Sequence, residues 1–138
     1  MKIKEILLPI TLCLCSMMSC NHESENRIQI NKKELTDELA IYYYQSKFRN
    51  FGKDYVSYMQ SCDSAPTAYK NRMQNLILHH AKDLKADKKG IDSICVAQKH
   101  YNDKQDLAYV FLNVHYKDKS SEEVILPLVK VNKEWKIR

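Results

Sequence analysis

Glycine is almost missing from this chain: Gly52 and Gly90 are the only two in 138 residues. Two isolated glycines cannot build the Gly-rich loop that cradles phosphates, so phosphate-loop nucleotide chemistry is excluded. There is no Cys-x-x-Cys pair, which removes support for dithiol redox chemistry and zinc ribbons. No Gly-x-Ser-x-Gly elbow occurs. No apolar run is long enough to span a bilayer; the stretch from Ile6 to Leu14 is short and interrupted by Pro9 and Thr11. Charge of one sign is not concentrated either. The 22 basic and 17 acidic residues leave +5 overall, and Lys32, Lys47, Arg49, Lys53, Lys82 and Lys85 are scattered. A nucleic-acid footprint gathers its basic residues on one face, so these read as solvated helix positions and nucleic acid is not an expected partner.

What is present begins with the N-terminus. Lys2 and Lys4 precede the Ile6–Leu14 apolar stretch, and Ser16-Met17-Met18-Ser19 leads to Cys20. A basic start, a short apolar run and small residues before a cleavage point describe a signal peptide over residues 1–19. Cys20 at that point resembles the lipobox of bacterial lipoproteins, with Met17 standing where leucine is usual. The resemblance implies that Cys20 is acylated and becomes the mature N-terminus, anchored in a bacterial cell envelope at the outer membrane. Residues 20–30, largely polar, then form a tether. Cleavage leaves 119 residues carrying 20 basic and 16 acidic side chains, one domain over residues 31–138. Cys62 and Cys95 remain, either as a disulfide, which an exported compartment permits, or as small core residues.

The chain divides by texture. Asn31 with Glu34 fits a capping box, and Leu35, Leu39, Tyr42 and Tyr43 follow at helical spacing until Asn50-Phe51-Gly52. A short helix over Asp54 to Gln60 buries Tyr55 or Val56 and Met59. Ser64 caps a third helix with Pro66 in its first turn; Tyr69, Met73, Leu76, Ile77, His80 and Leu84 mark its buried stripe, and Lys88-Lys89-Gly90 closes it. Strand signals follow from Ile91 to Tyr101, Leu107 to Lys117, Glu122 to Val131, and Glu134 to Ile137. In the second, Ala108, Val110, Leu112, Val114 and Tyr116 share one face, while Leu107, Tyr109 and Phe111 share the other with Asn113 and His115. Pro127 suggests a bulge or an unpaired edge position. Helices followed by hairpin-linked strands predict an α+β domain with an antiparallel sheet.

Three segments in this order, Phe51-Gly52-Lys53-Asp54-Tyr55, Gly90-Ile91-Asp92-Ser93-Ile94 and Leu128 to Ile137 with Trp135, resemble small bacterial lipoproteins of the nuclear transport factor 2-like superfamily. The resemblance spans about residues 31–138. It implies N-terminal helices packed on a curved antiparallel sheet, cone-like, with a pocket at the open mouth and Trp135 anchoring the final strand. That fold hosts isomerases, dehydratases, transport factors and non-catalytic lipoproteins, so it does not choose a function.

The residues weigh against chemistry. His79 and His80 point about 100° apart on a helix and cannot chelate together; Asp83 supplies one further ligand, and a catalytic zinc needs three. His100 and His115 have no visible carboxylate partner for acid–base work. No catalytic residue, metal or cofactor is therefore expected. Aromatics are in surplus instead. Tyr42-Tyr43-Tyr44 cover about 200° of one helix, more than one core stripe uses, and Tyr109 and Phe111 occupy the second face of the longest strand. Tyr42, Tyr44, Tyr109 and Phe111 are the candidate ligand- or partner-binding residues. The expected partners are the membrane through the lipid, a small apolar ligand or a protein, with a homodimer compatible. Two functions stand: a non-catalytic binding lipoprotein, and a small hydrolase or isomerase using the cone pocket.

Overall fold

The computed structural model describes residues 30–138. The signal peptide, Cys20 and the tether up to residue 29 lie outside the described residues.

Helix α1 (Asp37–Gln45) opens at Thr36, whose hydroxyl accepts from Leu39 N at 3.0 Å, with Asp37 and Glu38 in the first turn where the helix dipole favours anions. The expected Asn31–Glu34 cap does not form: the Asn31 side chain closes a local turn onto Lys33 N at 2.9 Å. Lys32 is held elsewhere, because its carbonyl accepts from Trp135 N at 2.8 Å. A strand contact from the far end of the chain overrides a good local cap. After Gln45 the chain tightens into short 3-10 turns, Ser46–Phe48 and Asn50–Gly52, before helix α2 (Lys53–Tyr58). Asn50, Phe51 and Gly52 are all left-handed, at φ of 50°, 57° and 84°. Gly52 is required there: a Cβ would sit 3.3 Å from the Ile77 side chain.

Helix α3 (Thr67–Lys88) is preceded, not entered, by Pro66, and Ser64 does not cap it. None of its 22 residues is buried. Tyr69, Met73, Ile77 and Leu84 are half-covered, His80 is exposed, and Leu76 is 57% exposed, so the expected core stripe is corrected to a partly shielded one. The physical reason is its neighbours: α3 lies mainly against α2 and the two short turns before it, which are too small to cover six turns of helix.

Four strands, β1 (Ile91–Tyr101), β2 (Leu107–Tyr116), β3 (Ser121–Val131) and β4 (Glu134–Ile137), form an antiparallel meander in sequence order. Their turns carry local reasons. Asn102 Oδ1 accepts from Asp106 N and Leu107 N, and Asn132 and Lys133 both take positive φ, as a primed hairpin turn requires. Pro127 makes no bulge. Its carbonyl accepts from Arg138 N at 2.9 Å, so the donor it lacks is also turned that way, off the end of β4 and out of the β2–β3 ladder. The inner face holds the core: Ala108, Val110, Leu112, Val114, Leu126, Leu128 and Ile137 are all buried. Trp135 joins them at 3% exposure, with the Tyr43 hydroxyl donating to its carbonyl and the Tyr101 ring edge-on at 6.1 Å. Cys62 and Cys95 are both free, Cys62 buried and Cys95 exposed on β1, so they form no disulfide.

Candidate functional site

Tyr43, Tyr44 and Tyr55 are buried on the helix side. Tyr44 is corrected from partner contact to core: it is 3% exposed, edge-on to Phe48, with the Lys47 ammonium 4.5 Å above its ring. Tyr42 is half-buried, its hydroxyl 3.1 Å from that of Tyr58 and its ring under the Arg49 guanidinium at 4.2 Å. Three consecutive tyrosines thus divide between core and rim, and sequence spacing does not say which one faces out.

Around Tyr44 lies a cluster that the sequence does not announce. The Lys47 amine also sits 5.4 Å from the Tyr55 ring centre, and the Tyr116 hydroxyl donates to Glu122 at 3.0 Å. Burial lowers the Lys47 pKa, opposed by the nearby Glu122 charge. Burial pushes Tyr55 up to about 12 and raises Tyr44 and Tyr116. His80 faces the same cluster; burial, then the Lys47 charge, lowers its pKa. Tyr44, Lys47, Tyr55, His80, Tyr116 and Glu122 come from six separate elements, so no local motif could have found them.

Among the described residues, neither histidine weighed for catalysis hydrogen-bonds or ion-pairs with a carboxylate. His100 Nε2 lies 3.0 Å from Gln98 Oε1 and its ring meets Phe111 edge-on at 5.4 Å. His115 is exposed, lining a shallow depression with the exposed Asp92. Among the described residues no group of three metal-ligating side chains gathers. A depression of about 410 Å³ lies between α2 and α3, lined by Lys53, Val56, Cys62 and Gln74.

The outer sheet face is the extended apolar surface. Its strands align Leu107 with Val129, Tyr109 with Pro127, and Phe111 with Ile125. These three cross-strand pairs form one band, in which Tyr109 is 44% and Ile125 55% exposed, with Phe111, Pro127 and Val129 half-covered. Arg138 donates to the Tyr109 hydroxyl at 3.1 Å beside the middle pair of the band; Glu123, opposite Asn113, stands just past its Phe111–Ile125 end. Tyr109 and Phe111 therefore lie together on an accessible face, on the opposite side of the sheet from Tyr44. Ile125 and Pro127 complete the band; β3 alternation in the sequence carries the signal that could have included them.

No protein-family model matches the chain, and no curated protein matches it. A solved crystal structure does resemble it: a Campylobacter jejuni protein provisionally named an NTF2-like transpeptidase, 18% identical, with a TM-score of 0.57 over 72% of this chain and 94% of that one. At that identity the likeness speaks to architecture alone. With three helices packed against a four-stranded antiparallel meander, the described domain has the nuclear transport factor 2-like fold.

Proposed function

We propose that this protein is a membrane-anchored, exported lipoprotein whose domain binds a ligand or protein without catalysis, through the outer face of its sheet. The observation that carries the reading is the band of Tyr109, Phe111 and Ile125, apolar and open to solvent on a face that no element of the domain covers. Contiguous exposed apolar surface marks interaction sites, and tyrosine is enriched in them. The anchor rests on the signal-like residues 1–19 ending at Cys20. Intact-mass analysis is expected to show a chain beginning at Cys20 with acyl groups, and Cys20→Ala to release the protein; an unacylated chain starting elsewhere would refute the anchor. Native mass spectrometry of the full chain from its own envelope tests the binding. Wild type should carry a bound species that Tyr109→Glu with Ile125→Glu loses; equal binding by both would refute the outer face as the site.

A second reading, a small hydrolase or isomerase working from the helix side, draws on the desolvated Lys47 beside Tyr44, Tyr55 and the Tyr116–Glu122 pair. It also draws on the enzymatic name of the Campylobacter protein. Turnover of model ester or peptide substrates that disappears in Lys47→Met would favour it over the first.

A further inference from the structure

We propose that the domain rests on the membrane surface through its Phe51 loop, with the Phe51 ring among the lipid headgroups and Lys53 and Lys70 against lipid phosphates. This rests on the anchored reading above and says how the anchored domain stands. The outer sheet face takes no part in it and stays open to another partner.

Phe51 is 72% exposed, more than any other large apolar side chain among the described residues. Its backbone is left-handed, at φ 57° and ψ 35°, a conformation that bulky residues rarely take. The loop is nonetheless pinned. Gln74 Nε2 donates to the Phe51 carbonyl at 3.3 Å, and Asn50 Nδ2 and Arg49 Nε both reach the Asp54 carboxylate at 3.4 Å. A ring held out on a fixed stem loses little freedom when it enters an apolar phase. Phenylalanine is also among the residues that interfacial segments bury at the headgroup boundary.

Gln74 joins this loop to the depression of about 410 Å³ between α2 and α3, which it lines with Lys53, Ser57, Lys70 and Asn71. Lys53 and Lys70 are exposed, and among the described residues neither pairs with a carboxylate. Asp63, the acid on the same depression, is held by Lys136 at 3.0 Å. Two unengaged ammonium groups with hydroxyl and amide side chains between them suit a phosphate diester. Each lysine near an anionic surface strengthens attachment about fivefold. A lone ring rimmed by such residues offers too little apolar area for the core of a protein interface.

The chain ahead of the domain favours the same side. Lys32 is fixed by Trp135, and its ammonium lies 4.8 Å from the Tyr58 ring centre. The Tyr58 ring is 5.9 Å from that of Tyr42, which has the Arg49 guanidinium 4.2 Å above it. The entry of the chain and the Phe51 loop therefore share one rim. From an acylated Cys20 to Lys32 the chain reaches at most about 40 Å. A domain of this size is about 35 Å across. The membrane is thus present at high effective concentration, and a contact too weak to hold a free protein suffices.

The test uses the full acylated chain in vesicles of phosphatidylethanolamine with phosphatidylglycerol as the anionic lipid. Brominated acyl chains should quench the added emission of Phe51→Trp about twofold, over a constant background from buried Trp135, and should leave Tyr109→Trp on the outer face unquenched. Adding Lys53→Glu and Lys70→Glu should cut the quenching at position 51 about threefold or more, while flotation with the vesicles persists through the acyl groups. Lys53→Arg with Lys70→Arg should retain it, separating charge from misfolding. A floating chain with no quenching at position 51, or equal quenching at 51 and 109, overturns the inference and leaves the anchor standing. Indifference to the glutamate substitutions overturns the phosphate contact. A chain that does not float overturns the anchor and the inference together. A benzophenone amino acid at position 51, in the protein's own envelope, should crosslink to phospholipid; an adduct with a protein instead overturns the lipid surface as occupant.

Discussion

The two faces of β2 are built from adjacent residues and live in different worlds. Val110 and Leu112 are 0% exposed; Tyr109, one position away, is 44% exposed. The same contrast crosses to β3, where Leu126 is 2% and Ile125 55% exposed. Both faces are apolar over this stretch. A strand with one buried and one solvated face alternates apolar with polar, and β2 does so only in its second half, where Asn113 and His115 face out. Composition alone would make both faces core. Burial is decided by what each face meets: the inner one meets α1 and the aromatic side chains around it, while the outer one meets no element of this domain.

That contrast can be broken by substitution. The largest expected effect is at Trp135 on the inner face. Trp135→Ala removes the ring and the packing that positions the Tyr43 hydroxyl against its carbonyl, at a cost of about 3–5 kcal/mol. That is a large part of the roughly 5–15 kcal/mol a domain possesses. Urea unfolding reads it, and a midpoint unchanged from wild type would contradict the placement. Next come the neighbours Leu126 and Ile125. Leu126→Ala should cost about 2–5 kcal/mol, whereas Ile125→Ala should stay within about 0.5 kcal/mol. Equal losses would mean that the outer face is covered within the domain.

Titration sharpens the comparison without deleting anything. Burial raises the pKa of Tyr43, Tyr44, Tyr55, Tyr58 and Tyr116, all on the helix side. A raised folded-state pKa gives stability that is complete below the unfolded value, about 10 for tyrosine, and is lost as pH rises through the folded one. The domain should therefore lose stability progressively above about pH 10. Phenolate absorbance of these five should appear together with unfolding. Stepwise ionisation of all tyrosines in a folded chain would contradict their burial. The smallest effect belongs to His80, whose folded pKa is lowered first by burial and then by Lys47. Its contribution is present above the unfolded value of about 6.5 and lost as pH falls below it. His80→Gln should flatten the melting-temperature profile between pH 7 and 5 slightly; a steeper profile would reverse the assignment.

Much of this fold is legible in the sequence where the signal is periodic and local. The inner face of β2 is readable from Ala108 to Tyr116 because side chains alternate with period two, and each of those positions is buried. The Asn132-Lys133 turn is readable because few residues intervene between two apolar runs. What fails depends on distant partners. Asn31 and Thr36 are both sound caps by residue type; Thr36 caps α1, while the segment at Asn31 is held by its own turn and by the Trp135 contact to Lys32. The stripe on α3 is real in spacing, but the sequence cannot show that its neighbours are too short to cover it. For the candidate site, Tyr109 and Phe111 were readable as a surplus apolar face. Tyr44 was not readable as core, since Phe48, Lys47 and Tyr116 around it come together only in three dimensions.

The tie between Trp135 and the start of the domain also orders events in time. Trp135 receives the Tyr43 hydroxyl from 92 residues away, and its N–H fixes Lys32 just ahead of α1. During synthesis, N-terminus first, the leading segment would wait unfastened until the last strand arrives. Contacts so distant in sequence close late and slowly. Locking of the N-terminal segment is therefore coupled to delivery of the final residues, and a chain truncated before Trp135 would leave its own beginning unfastened.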